Sequence, residues 1–185
     1  MKKSSIQNTI GVLIAALVGA GVGIAGSQQS TEIFGIPLFL LAIAAAYIIQ
    51  WIAFIIAFIQ KSEKFYDLIG SLTYISITIA LVLINPNIND RSVLLAFLVI
   101  IWATRLGTFL FTRIQKQGKD DRFDDIKTSF TQFLLTWTLQ GLWVTFTAAA
   151  AWAAMSSTET QPLGWLALAG FLVWIFGYFF ELLSD

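Results

Sequence analysis

The sequence predicts an all-α integral membrane protein: a polytopic helical bundle of about six transmembrane helices with both termini in the cytoplasm. Three observations carry that expectation. First, 57% of the residues are hydrophobic and only 12% are charged, about half the charge of an ordinary soluble domain. Second, the apolar residues come in long blocks. Residues 4–31, 33–60, 68–89, 128–158 and 160–180 contain no Asp, Glu, Lys or Arg, and 92–112 is broken by Arg105 alone. A hydrocarbon core about 30 Å thick is crossed by roughly 20 apolar helical residues, so all six segments qualify. Third, the basic residues segregate. With the N-terminus inside, Lys2, Lys3, Lys61, Lys64, Arg113, Lys116, Lys119, Arg122 and Lys127 fall on the cytoplasmic side and only Arg91 falls outside. That is the positive-inside bias, and it points to a plasma membrane, the bacterial inner membrane.

The expected helices run 6–26, 36–59, 66–84, 92–114, 129–154 and 163–183. The first follows Met-Lys-Lys and superficially resembles a signal peptide. Residues 4–31 are long enough to span, however, and 24–30 offers only a loose cleavage context, so it reads as a retained helix. It contains Gly21-Val22-Gly23-Ile24-Ala25-Gly26, a literal GxGxxG. A dinucleotide fold needs that turn between a strand and a helix, with an acidic residue about 20 positions later. Here the glycines lie within an apolar span, and Ala46 stands at the acidic position. Ala15, Gly19 and Gly23 instead form a small-residue face that lets another helix approach closely. The loops between helices are short and carry breakers such as Asn85-Pro86-Asn87 and Gln161-Pro162, so residues 1–185 read as one bundle.

Composition also excludes chemistries. Net charge is zero, which removes any bulk attraction to nucleic acid. Cysteine and histidine are absent, so disulfides, thiolate nucleophiles, a histidine base and Cys/His metal sites are excluded. No metal is expected.

Polar residues inside hydrocarbon face protein or a wet cavity, and three helices carry such stripes. They are Asp67, Gly70, Ser71, Tyr74 and Thr78 on the third; Arg105, Thr108, Thr112 and Lys116 on the fourth; and Ser129, Gln132, Thr136, Gln140 and Thr147, with Trp143 among them, on the fifth. Three adjacent stripes predict a shared polar interior open toward the cytoplasm, with Glu181 and Asp185 at the same face. Arg105 lies eight residues before Arg113, roughly 12 Å deeper. It fits two roles: a structural cation that snorkels or pairs, or an anion-binding group. Asp67 is its expected partner. Trp152 and Trp165 are expected in the outer interfacial belt.

The densest charge is Arg113–Lys127, RIQKQGKDDRFDDIK, with nine charged residues in fifteen positions. By itself it reads as a solvated, internally paired cytoplasmic loop. Its surroundings form an ordered set of motifs: Lys64-Phe65-Tyr66-Asp67-Leu68-Ile69-Gly70-Ser71-Leu72-Thr73-Tyr74, Trp102-Ala103-Thr104-Arg105-Leu106-Gly107, Gly118-Lys119-Asp120-Asp121-Arg122-Phe123, Leu139-Gln140-Gly141-Leu142 and Gly177-Tyr178-Phe179-Phe180-Glu181-Leu182-Leu183-Ser184-Asp185. Over about residues 61–185 the chain resembles a bacterial membrane family of largely unassigned function. That family is allied to the steroid 5-alpha-reductases (C-terminal domain type) and sterol reductases, and more distantly to isoprenylcysteine carboxyl methyltransferases.

The resemblance implies a helical bundle with a cytoplasm-facing pocket and NADPH as cofactor. The reaction it implies is hydride transfer to the carbon–carbon double bond of a lipid or sterol-like enone. On that reading Arg105, Arg113, Asp121 and Arg122 border the cofactor, and Asp67, Gln140, Glu181 and Asp185 line the polar interior. The pair that would polarise a carbonyl is not placed, with Tyr74 a candidate only as a hydroxyl on a polar stripe. The family's last helices carry an Arg-His-Pro-Asn-Tyr-type cofactor motif, and this sequence has no histidine. The expectation is therefore a reductase-like bundle that is incomplete or inactive as this chain alone, either truncated or naturally short. A homo-oligomer or a second polypeptide would complete the fold. The alternatives are a non-catalytic lipid-binding or interaction subunit and, with polar stripes as its only support, a small transporter. Membrane lipids are expected partners; nucleic acid is not.

Overall fold

Each long apolar block becomes one helix, because in hydrocarbon every backbone N–H and C=O needs a partner within its own segment. In the computed structural model, which describes residues 2–159 and 161–184, the helices are α1 (Lys2–Ala25), α2 (Leu38–Gln60), α3 (Tyr66–Ile84), α4 (Asp90–Gln117), α5 (Phe130–Ser156) and α6 (Trp165–Ser184). All six are long and apolar enough to cross a membrane. The chain is an all-α integral membrane protein. Asp185, expected at the polar face, lies outside the described residues.

The helix ends follow local chemistry. The Asn89 side chain accepts a hydrogen bond from the Ser92 N–H at 3.1 Å and starts α4, satisfying one of the free donors of the first turn. At its other end α4 stops at Gly118, whose φ of 83° favours a residue without Cβ. Between α1 and α2 the chain makes a minimal antiparallel hairpin, β1 (Glu32–Ile33) with β2 (Ile36–Pro37), turning through Phe34 and Gly35.

α5 is the hub, packing against α1, α2, α3 and α4. The small-residue face of α1 does what its spacing predicts. Ala15, Gly19 and Gly23 are its buried positions, and the Tyr47 hydroxyl of α2 donates to the Ala15 carbonyl at 2.7 Å. A Cβ on Gly19 would collide with the Tyr47 ring. Within the GxGxxG match Gly23 and Gly26 lie against Leu40 and Phe39 of α2, and Gly21 is exposed.

Two polar caps close the bundle. At the hairpin end Asn85 is 4% exposed. Its amide donates to the Met155 carbonyl at 2.7 Å, and its Oδ1 accepts from the Thr31 hydroxyl at 2.9 Å. At the opposite end the charge loop folds into two short 3₁₀ turns, Asp121–Phe123 and Ile126–Thr128, and drives Phe123 into an aromatic cluster with Tyr66 and Phe133. α6 is different: none of its described residues is buried. Trp152 corrects an expectation. It is fully buried, and its indole N–H donates to Thr78 Oγ1 at 3.0 Å, because its face of α5 meets α3 and not lipid. Trp165 is exposed.

Candidate functional site

The site begins with the close approach of α3 and α4. Gly107 lies against Ser71, so near that an added Cβ would come within 2.6 Å of Ser71 Cβ. This antiparallel register places Asp67 one turn beyond Ser71, level with Phe111. Arg105 is then six residues, about 9 Å, deeper than Asp67. The expected Asp67–Arg105 pair is therefore not formed. Arg105 pairs with Glu181 of α6 through Nη1 and Oε1, and the other carboxylate oxygen accepts from the Trp102 indole at 3.1 Å. The cations whose charges act on Asp67 are Arg113 and Arg122.

The polar stripes of α3 and α5 do converge. The Gln140 amide donates to the Tyr66 carbonyl at 2.9 Å, and the Tyr66 hydroxyl donates to the Thr136 carbonyl at 3.0 Å. Deeper, Tyr74 bonds Thr147. Thr147 Oγ1 donates to the Trp143 carbonyl at 2.8 Å, so the shared proton between the two hydroxyls comes from Tyr74. The α4 stripe does not join this interior. Thr108, Thr112 and Lys116 are exposed, and both threonine hydroxyls bond back to their own helix. Such local bonds satisfy a hydroxyl without any partner helix, so a polar stripe on α4 was no proof of a polar neighbour.

Because α6 stands off the bundle, a slot opens between it and the α4–α5 face. Its inner part is a cavity of about 560 Å³ with Leu98, Ala151 and Trp174 as walls and Tyr74, Trp102, Thr147 and Glu181 as its polar groups. A second cavity of about 390 Å³ runs on toward the hairpin end and reaches Arg91. The two share Leu95, Leu98, Ala150, Ala151 and Trp174 and read as one slot. An apolar concavity with a few convergent polar groups is the usual form of a small-molecule site. On the other side of Tyr74 lies a cleft of about 240 Å³ holding Asp67, Ser71 and Gln140. The Gln140 Oε1 facing it is buried without a hydrogen-bond partner, and Gly70 leaves the room that its amide occupies.

The charge loop forms a separate cleft of about 620 Å³ lined by Arg113, Gln117, Lys119, Asp120, Asp121 and Arg122. Of the residues expected to border a cofactor, Arg113, Asp121 and Arg122 meet here, whereas Arg105 is paired with Glu181, which lines the slot. Most of the loop's charge is spent internally. Arg122 Nε lies 2.9 and 3.0 Å from the two Asp120 oxygens, and Lys119 bridges Asp121 and Asp124 at 2.8 Å each. These partners hold Asp120 and Asp124 below the ordinary carboxylate value and push Lys119 and Arg122 up. Among the described residues Arg113 forms no ion pair.

Sequence reasoning missed Glu63. It sits in the loop before α3, 4% exposed, accepting from Lys127 Nζ at 2.9 Å and from the Asp120 N–H at 3.3 Å. The available signal was a lone acid beside basic residues in Lys61-Ser62-Glu63-Lys64, which reads equally well as solvated. Leu95, Leu98 and Ala151 were likewise missed, since apolar slot residues look the same as lipid-facing ones.

Residues 53–185, well over half of the chain, match the family model described as "Protein of unknown function (DUF1295)". The chain belongs to this family. Its matched region starts within α2 and takes in the slot, the Tyr74 cleft and the charge loop. No curated protein and no solved structure matches the chain.

Proposed function

We propose that this family member binds one lipid-like molecule in the slot beside α6, on a bundle of the steroid- and sterol-reductase type. The observation that carries the reading is the slot itself: long apolar walls ending on the Tyr74–Thr147 hydroxyls, the Trp102 indole and the Glu181 carboxylate. A sterol-like or other lipid carbonyl seated there meets Tyr74 as its donor. Tyr74 would exchange Thr147 for the ligand oxygen, and a donor aimed at that oxygen polarises the carbonyl.

The charge-loop cleft is a poor match to NADPH, the cofactor that the resemblance implies. A dinucleotide phosphate brings a pyrophosphate and a 2′-phosphate, groups met by free Arg side chains and helix N-termini. Here Arg122 and Lys119 are neutralised by neighbouring carboxylates, leaving Arg113 as the lining cation without an ion pair among the described residues. The reading is therefore binding of the lipid by this chain, with no hydride step assigned to it.

The test uses purified protein in detergent micelles, titrated with a tritiated 3-ketosteroid enone and, separately, with NADPH. Saturable enone binding that weakens on Tyr74→Phe is expected, with no saturation by NADPH below about millimolar. Absence of enone binding would remove the ligand class. Loss of the enone chromophore on adding NADPH would overturn binding without turnover.

A further inference from the structure

The slot has two ends, and only one is occupied by the polar groups used above. The other end reaches Arg91 in the first turn of α4. Arg91 is half-buried, and among the described residues its side chain forms no hydrogen bond or ion pair, not even with the exposed Asp90 beside it. A cation facing an apolar slot without a counter-charge is complementary to one kind of guest, an apolar chain that ends in an anion. The adjacent helix N-terminus adds the same preference for negative charge.

Length agrees. Arg91 and Trp102 are eleven residues apart on one helix, about 16 Å along its axis, and one leaflet of a bilayer core is about 15 Å deep. The walls between these two levels, Leu95, Leu98, Ala150 and Ala151, carry no polar side chain.

We infer that the slot holds a single-chain anionic lipid, its headgroup on Arg91 and the far part of its chain, with the carbonyl that Tyr74 would meet, beside Tyr74 and Trp102. This rests on the slot being a lipid site and adds the charge and direction of the ligand. The alternative is that Arg91 only snorkels to bulk lipid phosphates, which requires no chain in the slot.

The experiment measures quenching of tryptophan fluorescence in micelles by brominated hexadecyl phosphate and by brominated hexadecanol, since Trp102 and Trp174 line the slot. A basic residue near a membrane surface attracts an anion by about 1 kcal/mol, so the phosphate ester should bind about fivefold more tightly than the alcohol. Arg91→Gln should abolish that preference while leaving the alcohol unchanged, and Arg91→Lys should retain it. Ala151→Phe, which fills the slot, should weaken both probes. Inorganic phosphate alone should displace neither.

Equal binding of the two probes by the unaltered protein, or a preference that survives Arg91→Gln, overturns the headgroup assignment and leaves the slot standing. Binding indifferent to Ala151→Phe, or displacement by inorganic phosphate, places the anion outside a lipid slot and overturns the inference. If neither probe quenches, the slot reading itself fails.

Discussion

Replacing Glu181 by Gln tests the contact that docks α6. Arg105 lies inside a span, where a cation costs about 2.5–3.5 kcal/mol on insertion scales, and Glu181 supplies its counter-charge. The side chains are 13% and 34% exposed. The pair therefore falls between an exposed bridge, about 0–1 kcal/mol, and a sealed one, whose single-sided loss costs about 3–5 kcal/mol. Glu181→Gln should destabilise by about 1–2 kcal/mol, as should Arg105→Gln. The double variant should fall short of their sum by about 1 kcal/mol, because the second change removes a charge that the first had already stranded. The control is Arg105→Gln with Asp67→Asn. Those groups are offset by more than a helical turn and should add within about 0.5 kcal/mol. Unfolding by SDS titration in mixed micelles, followed by circular dichroism, measures all five variants. Simple additivity for Arg105 with Glu181, combined with coupling of Arg105 to Asp67, would refute the α3–α4 register and the docking of α6 on it.

Two further predictions concern the supports of the site. Gly107→Ala should destabilise by about 1–3 kcal/mol, since the new methyl meets Ser71 Cβ and Oγ at 2.6 and 2.8 Å. Adding Ser71→Gly should recover much of that loss, and Gly177→Ala, with nothing within 4 Å, should be harmless in the same unfolding assay. Glu63 governs the acid stability of the charge-loop end. Burial raises its carboxyl, but Lys127 and the backbone N–H groups of Glu63 and Asp120 outweigh this and bring it below the ordinary 4.5. A carboxyl lowered in the folded state stabilises fully above its unfolded value and loses that contribution as pH falls through the folded one. Lys127, raised above its ordinary 10.5, loses its share only as pH rises beyond that. The protection factors of residues 118–128, their hydrogen-exchange rates corrected for the intrinsic pH dependence, should therefore fall on acidification below about pH 4.5 in the unaltered protein. In Glu63→Gln they should already be lower at neutral pH, by an opening energy lower by about 1–3 kcal/mol.

The sequence by itself determined the class and most of the layout. Charge-free blocks of membrane-crossing length leave helices as the only backbone that satisfies its own hydrogen bonds, and the six expected spans agree with the observed ones to within a few residues. The close-packing face of α1 was legible because a four-residue spacing of Ala and Gly has one geometric consequence. The α3 and α5 stripes were legible for a related reason: buried hydroxyls and amides need partners, and facing stripes supply them. Other features were decided by tertiary structure alone. Which acid meets Arg105 depends on how far α3 slides along α4, and that is fixed by a Gly107–Ser71 contact with no periodic signature. Whether Thr108 and Thr112 face protein is hidden, because a threonine can bond its own helix as readily as a neighbour. The slot is hidden most completely. Leu, Ala and Trp lining a ligand cavity have the same hydropathy as Leu, Ala and Trp facing lipid, and only the stand-off of α6 separates the two.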